Sequence, residues 1–498
     1  MKEGQSVALP QSNSFSLKQS GLIVAFLALA IISLLPTPEG LPVAGQRMLG
    51  ILAFAVIVWM TEAVSYPVSA AIIVALIATL VGTAPNVAAP SKILGTGNAL
   101  SLALGGFSNK ALALVGAALF LAAAMTKTHL DKRIALVVLS KIGSKTSRVL
   151  AGVLFVGFIL AFFVPSTTAR VACIVPIIMG IIAAFGVEHK SRFAGMMMIA
   201  TAQVAGIWNV GIKTAAAQNM IALGFIEKML GSYITWLDWF IAAAPYAVVM
   251  TIVLYFILLK LMPPEVKEVA GGDEAIKKLM TEMGPVSSGE KKLLLISILL
   301  LLFWSTEKIF HSFDTSTTTI VAVAIMLMPK SGVMTWKEAQ ARIPWGTVVL
   351  FGVGISLGSA LLSTKAAAWL AQIIVQTVGL QSMEAFTILA VMSLFLIIIH
   401  LGFASATALA AAMIPIIISI LQNVTTPGIQ TVGLTMVLQY VVSFGFILPV
   451  NSPQSMIAYG TETFDVKDFI RIGVPLTIIA YVMVLLFGAT YWKWLGVI

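Results

Sequence analysis

Long apolar runs constrain this chain more than any other feature. Leu293 to Trp304 is interrupted only by Ser297, and Ile320 to Met328 is unbroken. Such runs suit helices that bury apolar residues on every side, whereas a membrane β-barrel strand has to alternate apolar and polar residues. Of 498 residues, 59% are hydrophobic and 10% charged, against about 25% charged in a soluble protein. A soluble enzyme is excluded, and an all-α polytopic membrane protein is expected. At about 20 residues per crossing, the chain has room for about 11 transmembrane helices. The single cysteine, Cys173, and 4 scattered histidines provide neither a disulfide framework nor a Cys/His metal cluster. The spans hold no Ser/His pair and no paired aspartates, and the chain has no Walker loop. Neither catalysis nor direct use of ATP is expected, and no cofactor. A channel would display a repeated filter or a ring of charges, and none is visible.

The net charge of +10 lies beside apolar runs, so it marks topology and not nucleic acid. Residues 1–20 read as a cytoplasmic N-terminal tail and 21–46 as a first span with its loop. Lys127, Lys132, Arg133, Lys141, Lys145 and Arg148 then mark a cytoplasmic segment, reached after four crossings. Two arms within 149–186 flank the polar tip Ser166-Thr167-Thr168, and Lys190 and Arg192 follow. Both ends of this pair are cytoplasmic by charge, so the arms either cross as a pair of thin spans or enter and return as a re-entrant hairpin, and the polar tip favours the hairpin. Such a hairpin is tolerated where protein or a watery cavity surrounds it. The apolar stretch 193–226 is broken around Lys213 and Thr214, and the charged segment 261–292 is a linker with a short helix near 274–283. An amphipathic helix at 365–380, a second hairpin at about 386–422, an interrupted span at 431–460 and a last span at 470–492 follow.

Three short matches recur in order. Trp59-Met60-Thr61-Glu62 returns as Trp304-Ser305-Thr306-Glu307. Ser166-Thr167-Thr168-Ala169 with Pro176 returns as Ser405-Ala406-Thr407-Ala408 with Pro415. Gln218-Asn219-Met220-Ile221-Ala222 returns as Gln454-Ser455-Met456-Ile457-Ala458, and the three offsets are 245, 239 and 236. The chain therefore reads as repeat 1 (47–260) and repeat 2 (293–498), each with a hairpin and a broken helix. A hairpin returns to its starting side, so each repeat crosses an odd number of times and the two are inverted. Inverted repeats with matching broken helices place a substrate site at the membrane midplane.

At these motifs the sequence resembles the divalent anion/sodium symporter family. The resemblance rests on the two tips, on Trp59 to Ala63, and on Leu448-Pro449-Val450-Asn451-Ser452-Pro453. It implies transport of dicarboxylates, citrate and related anions by a homodimer whose transport part moves as a rigid body against a scaffold. The family's tip asparagines are Thr167 and Ala406 here. Arg170 and the Thr214-to-Asn219 run look more like the exchanger branch of citrate/succinate antiporters and plastid dicarboxylate translocators.

Arg170 is the only charge between 149 and 186, and Lys213 the only one between 193 and 226. Intramembrane charges are costly and mark function by default. The substrate-binding set expected is therefore Ser166, Thr167, Thr168, Arg170, Lys213, Thr214, Asn219, Ser405, Ala406, Thr407, Asn451 and Ser452. Arg170 could also snorkel, Lys213 could satisfy a carbonyl at a kink, and isolated hydroxyls could merely glue helices. Glu62 and Glu307 sit at span ends, and the four histidines read as structural or interfacial. The function expected is elevator-type exchange of small di- or tricarboxylates at the plasma (inner) membrane. Sodium symport, with ligands from Ser166, Thr167, Ser405 and Thr407, is the alternative.

Overall fold

The computed structural model describes residues 14–143, 145–184, 186–265, 272–426 and 428–498. The expected tail therefore lies mostly outside the described residues. The first half comprises α1 (Ser14–Leu34), α2 (Val43–Thr61), α3 (Tyr66–Leu76), α4 (Thr96–Leu104), α5 (Lys110–Thr128) and α6 (Leu130–Leu139). The hairpin arms α7 (Thr146–Phe163) and α8 (Thr167–Ala184) follow, then α9 (Arg192–Gly211), α10 (Ala217–Leu230) and α11 (Trp236–Leu261). The linker carries α12 (Gly272–Glu282). The second half runs through α13 (Ser288–Thr306), α14 (Thr315–Leu327), α15 (Trp336–Arg342), α16 (Trp345–Ser363) and α17 (Ala366–Val378). It ends with α18 (Ala385–His400), α19 (Ala406–Asn423), α20 (Thr431–Val442), α21 (Pro453–Tyr459), α22 (Val466–Ala489) and α23 (Tyr491–Trp494).

Eight described helices are long and apolar enough to cross a membrane, and the shorter apolar ones include α8, α18 and α20. These three short helices belong to hairpin arms or broken spans. The repeat read from sequence reappears as matched elements: α8 and α19 each have 18 residues and an internal proline, Pro176 or Pro415. α9 and α20 each end in a break whose single 3-10 turn, Lys213–Ala215 or Pro449–Asn451, leads into α10 or α21.

One segment differs from the expected all-helical layout. Between α3 and α4 a small antiparallel ribbon pairs Pro85–Asn86 with Ala89–Ile93, with the Asn86 side chain accepting from the Ala88 amide at 2.9 Å to close the turn. A side-chain-braced turn of this kind offers the backbone an alternative to helix. α17 is the amphipathic helix read from 365–380, and Ala366, Ala367, Ala371 and Val375 form its buried face.

The base of the first hairpin packs beside α6 and α12, on the side where the linker lies. On that side Lys127 at the end of α5 meets Glu338 of α15 at 2.6 Å, and Arg133 meets Glu290 at the start of α13. The base of the second hairpin lies at the opposite end, where Gln381 Nε2 donates to the Asn423 carbonyl at 2.8 Å. Two hairpins that enter from opposite ends share one cavity at their tips, so each stops inside the molecule. The repeats are inverted.

Candidate functional site

Pro165 halts the first arm, since it lacks an amide and disfavours helix in the residue before it, and Ser166 opens the next. The Ser166 hydroxyl accepts from the Ala169 amide at 3.3 Å, and Ser405 caps α19 in the same way, accepting from Ala408 at 3.3 Å. Both serines remain able to donate their hydroxyl hydrogens outward. The tips and the two breaks enclose one cavity of about 310 Å3. That is the lower end of the size range for small-molecule sites, roughly 300–1,000 Å3. Ser166, Thr167, Thr168, Asn209 and Gln218 line it from the first half, and Ser405, Ala406, Thr407, Ser443, Ser452 and Gln454 from the second. Tyr66, Leu119, Thr347 and Leu350 form the facing wall.

Two features give this cavity its electrostatic character. Thr167, Ala406 and Ala217, the first residues of α8, α19 and α10, all line it. Three helix N-termini thus direct partial positive charge and free amides at one volume. Among the described residues, the lining includes no Asp, Glu, Lys or Arg. Arg170 is fully buried one hydrogen-bond layer behind the wall. Its guanidinium donates to the carbonyls of Val164 at 2.9 Å, Ala215 at 3.0 Å and Ala205 at 3.3 Å, and to Asn209 Oδ1 at 2.6 Å. Thr167 Oγ1 donates to the same Asn209 oxygen at 2.7 Å. Arg170 therefore does not snorkel. Its Nε has no hydrogen-bond partner, and no ion pair to an acidic side chain is present among the described residues.

Of the residues singled out from sequence, the structure brings together Ser166, Thr167, Thr168, Ser405, Ala406, Thr407 and Ser452. It leaves the other five off the cavity wall. Arg170 stands behind it. Lys213 turns away at the break, and its Nζ donates to the Ile234 carbonyl at 2.7 Å. The Thr214 hydroxyl accepts from Trp236 Nε1 at 3.2 Å. Asn219 Nδ2 donates to the Asn209 carbonyl at 2.7 Å, and Asn451 Nδ2 to those of His400 at 3.0 Å and Phe403 at 3.1 Å. The reason is common to Lys213 and both asparagines. Chain that leaves a helix at a break, a hairpin tip or a loop exposes backbone carbonyls, and burial makes each unsatisfied one costly, so nearby donors are drawn to them.

Sequence reasoning missed Asn209, Gln218, Ser443 and Gln454. Gln218 and Gln454 were legible, since they are partners in the repeat and lie within the broken segments 211–219 and 451–455 expected to border the site, but Asn219 was the residue named there. His400, read as structural or interfacial, lines the cavity, with Nε2 at 3.4 Å from the Asn451 carbonyl. Glu307 is a buried residue that accepts from Tyr233 and Thr315, whereas Glu62 ends α2 in a left-handed conformation.

The model of the sodium:sulfate symporter transmembrane region matches residues 17–498. The chain belongs to the divalent anion/sodium symporter family. A membrane protein of Cupriavidus necator is 57% identical over 96% of this chain and 93% of its own length. A citrate/succinate antiporter of Escherichia coli is 26% identical over 94% of this chain and 96% of its own. A sodium-dependent dicarboxylate transporter of Staphylococcus saprophyticus is 26% identical over 94% and 90%. Among solved structures, the YdaH transporter of Alcanivorax borkumensis superposes with a TM-score of 0.56 at 13% identity, covering 85% of this chain and 97% of that one. That last likeness concerns the fold alone. As a member of the family, the protein is an integral, multi-pass membrane transporter.

Proposed function

We propose that this protein exchanges small di- or tricarboxylate anions across the membrane by elevator-type alternating access. The observation that carries the proposal is the small cavity lined by hydroxyls and amides at the meeting of three helix N-termini, with the buried Arg170 cation, which has no acidic partner among the described residues, behind its wall. Such a field favours an anion, and the donors there match carboxylate oxygens. Ser166, Thr167, Thr168, Ser405, Thr407 and Ser452, with Asn209, Gln218 and Gln454, bind the substrate directly. Ala406 contributes its place at a helix N-terminus, and Arg170 acts through Asn209 and Thr167. Lys213, Thr214, Asn219 and Asn451 hold the two breaks in shape.

Exchange follows from the fixed charge. Arg170 sets a fixed positive charge against the carbonyls of Val164, Ala205 and Ala215 and the Asn209 oxygen, which disfavours a second cation on those oxygens. An empty carrier would have to cross the membrane with a buried cation unneutralised, and uncompensated buried charge is costly. A bound dianion removes that penalty in both directions. Sodium symport is the second reading, favoured by the hydroxyls of Ser166, Thr167, Ser405 and Thr407 on one wall. The carrier works as a homodimer in the inner membrane with a cytoplasmic N-terminus, and repeat 1 (47–260) and repeat 2 (293–498) each supply half of the site.

Counterflow in proteoliposomes tests the proposal. Vesicles are loaded with succinate, 2-oxoglutarate or citrate, and entry of a labelled dicarboxylate is followed with sodium present or replaced by choline. Entry that needs internal anion and ignores sodium is expected. Entry into empty vesicles that needs a sodium gradient would establish symport, and absence of carboxylate transport under every condition would remove the substrate class.

A further inference from the structure

A polar joint lies outside the cavity, between the first break and the loop from α13 to α14. Lys213 Nζ reaches Thr315 Oγ1 at 3.5 Å, and that hydroxyl donates to Glu307 Oε2 at 2.8 Å. Tyr233 OH donates to Glu307 Oε1 at 2.6 Å and accepts from the Thr315 amide at 3.4 Å. The Lys213 and Lys308 ammonium groups stand 4.9 and 4.7 Å from the centre of the Tyr233 ring. Lys213, Glu307 and Thr315 are all buried. A void of about 30 Å3, room for about one water, is lined in part by Lys213, Ser232, Tyr233 and Ser316. Leu114, Met220, Leu223 and Ile234 line the same void, so the hydrogen bonds sit at the edge of an incompletely filled contact.

The joint and the cavity mouth face opposite ways. Tyr66, Pro344 and Thr347, at the starts of α3 and α16, wall the mouth. A β-carbon added at Gly346 would lie 3.4 Å from Pro67 Cδ, so the starts of α3 and α16 are neighbours there, and α15, just before α16, is tied to Lys127 by Glu338. The joint sits where α13 ends, having started at the linker side, and between α10 and α11. Lys213 and Tyr233 are continuous with the break that lines the cavity, whereas α14, which begins with Thr315, packs along α5.

We infer that Lys213, Tyr233, Glu307 and Thr315 form the far-side closure that holds the cavity open toward the linker. This inference rests on the alternating-access reading. Sliding the breaks past α13 and α14 by more than about a hydrogen-bond length, roughly 3 Å, parts Tyr233 from the Glu307 carboxylate and Lys213 from Thr315, and leaves Glu307 with Thr315 and water. The joint must re-form each time the cavity again faces the linker.

The test is cysteine labelling that needs no transport. In a Cys173→Ala background, Thr347→Cys reports the mouth through its rate of reaction with a membrane-impermeant maleimide in detergent. Loss of one hydrogen bond to a charged group shifts the open-to-closed ratio by about tenfold. Tyr233→Phe and Glu307→Gln should therefore each slow labelling several-fold at Thr347→Cys where the two orientations are near balance, or speed it about tenfold at Ser316→Cys beside the joint where the linker-facing form dominates. Unchanged labelling at both positions in both variants overturns the inference. Tyr233→Phe removes a single hydroxyl, so the test stands even where Glu307→Gln fails to fold. Counterflow on the parent, Tyr233→Phe and Glu307→Gln with Thr347 intact separates the two readings. Shifted labelling without carboxylate exchange in any protein supports the closure and removes the substrate proposal, whereas exchange with unchanged labelling removes the closure alone.

Discussion

Arg170→Met removes the charge behind the cavity and keeps an unbranched side chain in its place. Its effect on affinity can be worked from the wall. The guanidinium lies 2.6 Å from Asn209 Oδ1, and Asn209 and Thr167 both face the cavity. A carboxylate bonded to that wall would sit about 6 Å from the charge, where Coulomb's law with an effective dielectric constant of about 20 gives about 3 kcal/mol. That is about 100-fold in Kd. Stability falls as well, because the carbonyls of Val164, Ala205 and Ala215 and the Asn209 oxygen lose a donor, at about 1–3 kcal/mol for each group left unsatisfied. Arg170→Lys separates the two effects. It keeps the charge but lacks the planar fork, so affinity should stay within about tenfold of the parent while thermal stability still drops. The assay is binding of a labelled dicarboxylate to protein shown to be folded by size-exclusion and helical circular dichroism. A folded Arg170→Met that binds within about threefold of the parent, under 1 kcal/mol, would refute the reasoning and make Arg170 purely a brace.

Other expectations concern the wall, the coupling, the packing and the surface. Asn209→Asp is nearly isosteric and sets a carboxylate against Arg170, so dianion binding should fall by about 100-fold or more at neutral pH with the helices intact; binding within threefold of the parent would contradict the wall's role. Thr167→Asn with Ala406→Asn should introduce sodium dependence in counterflow if the tips decide coupling, and sodium-independent exchange would leave coupling to the fixed charge. A β-carbon at Gly473 would lie 2.0 Å from the Phe446 carbonyl oxygen, so Gly473→Ala should cost about 1–3 kcal/mol by overpacking the second break, read as a lowered Tm. The Lys127 ammonium at 2.6 Å, followed by the Thr335 amide and hydroxyl, holds the Glu338 carboxyl down at about 2. A depressed folded-state pKa stabilises above the ordinary carboxylate range, and the stabilisation is lost as pH falls through the folded value. The Tm difference between parent and Glu338→Gln should therefore be constant from about pH 8 to about pH 5 and shrink below about pH 4.

The helical membrane architecture was legible because local composition settles it: a run such as Leu293 to Trp304 has no stable alternative once lipid is the solvent. The repeat was legible because Ser166 and Ser405, Pro176 and Pro415, and Gln218 and Gln454 hold nearly constant spacing. The ribbon at 85–93 escaped notice, since its pairing depends on one Asx turn and two short strands rather than on a periodic pattern.

The candidate site divides along the same line. One-dimensional spacing located both tips and both breaks, and Ser166 to Thr168, Ser405 to Thr407 and Ser452 meet as the inverted repeat requires. It could not tell which neighbour in a break faces the cavity. Asn219 and Gln218 are adjacent and both polar, yet Asn219 fills carbonyls freed by the broken helix while Gln218 faces the cavity. Nor could it separate the two buried cations, because a charge in an apolar run looks the same whether it backs a substrate wall, as Arg170 does, or leaves the break for a distant loop, as Lys213 does. What the sequence determined by itself was the solvent, the helices and their twofold plan, all consequences of hydrophobic runs and spacing. The direction of each polar side chain was decided only by tertiary packing, because the acceptors that claim these side chains are backbone carbonyls and hydroxyls, among them the carbonyl of Ala205 and the hydroxyl of Thr315, brought from distant parts of the chain.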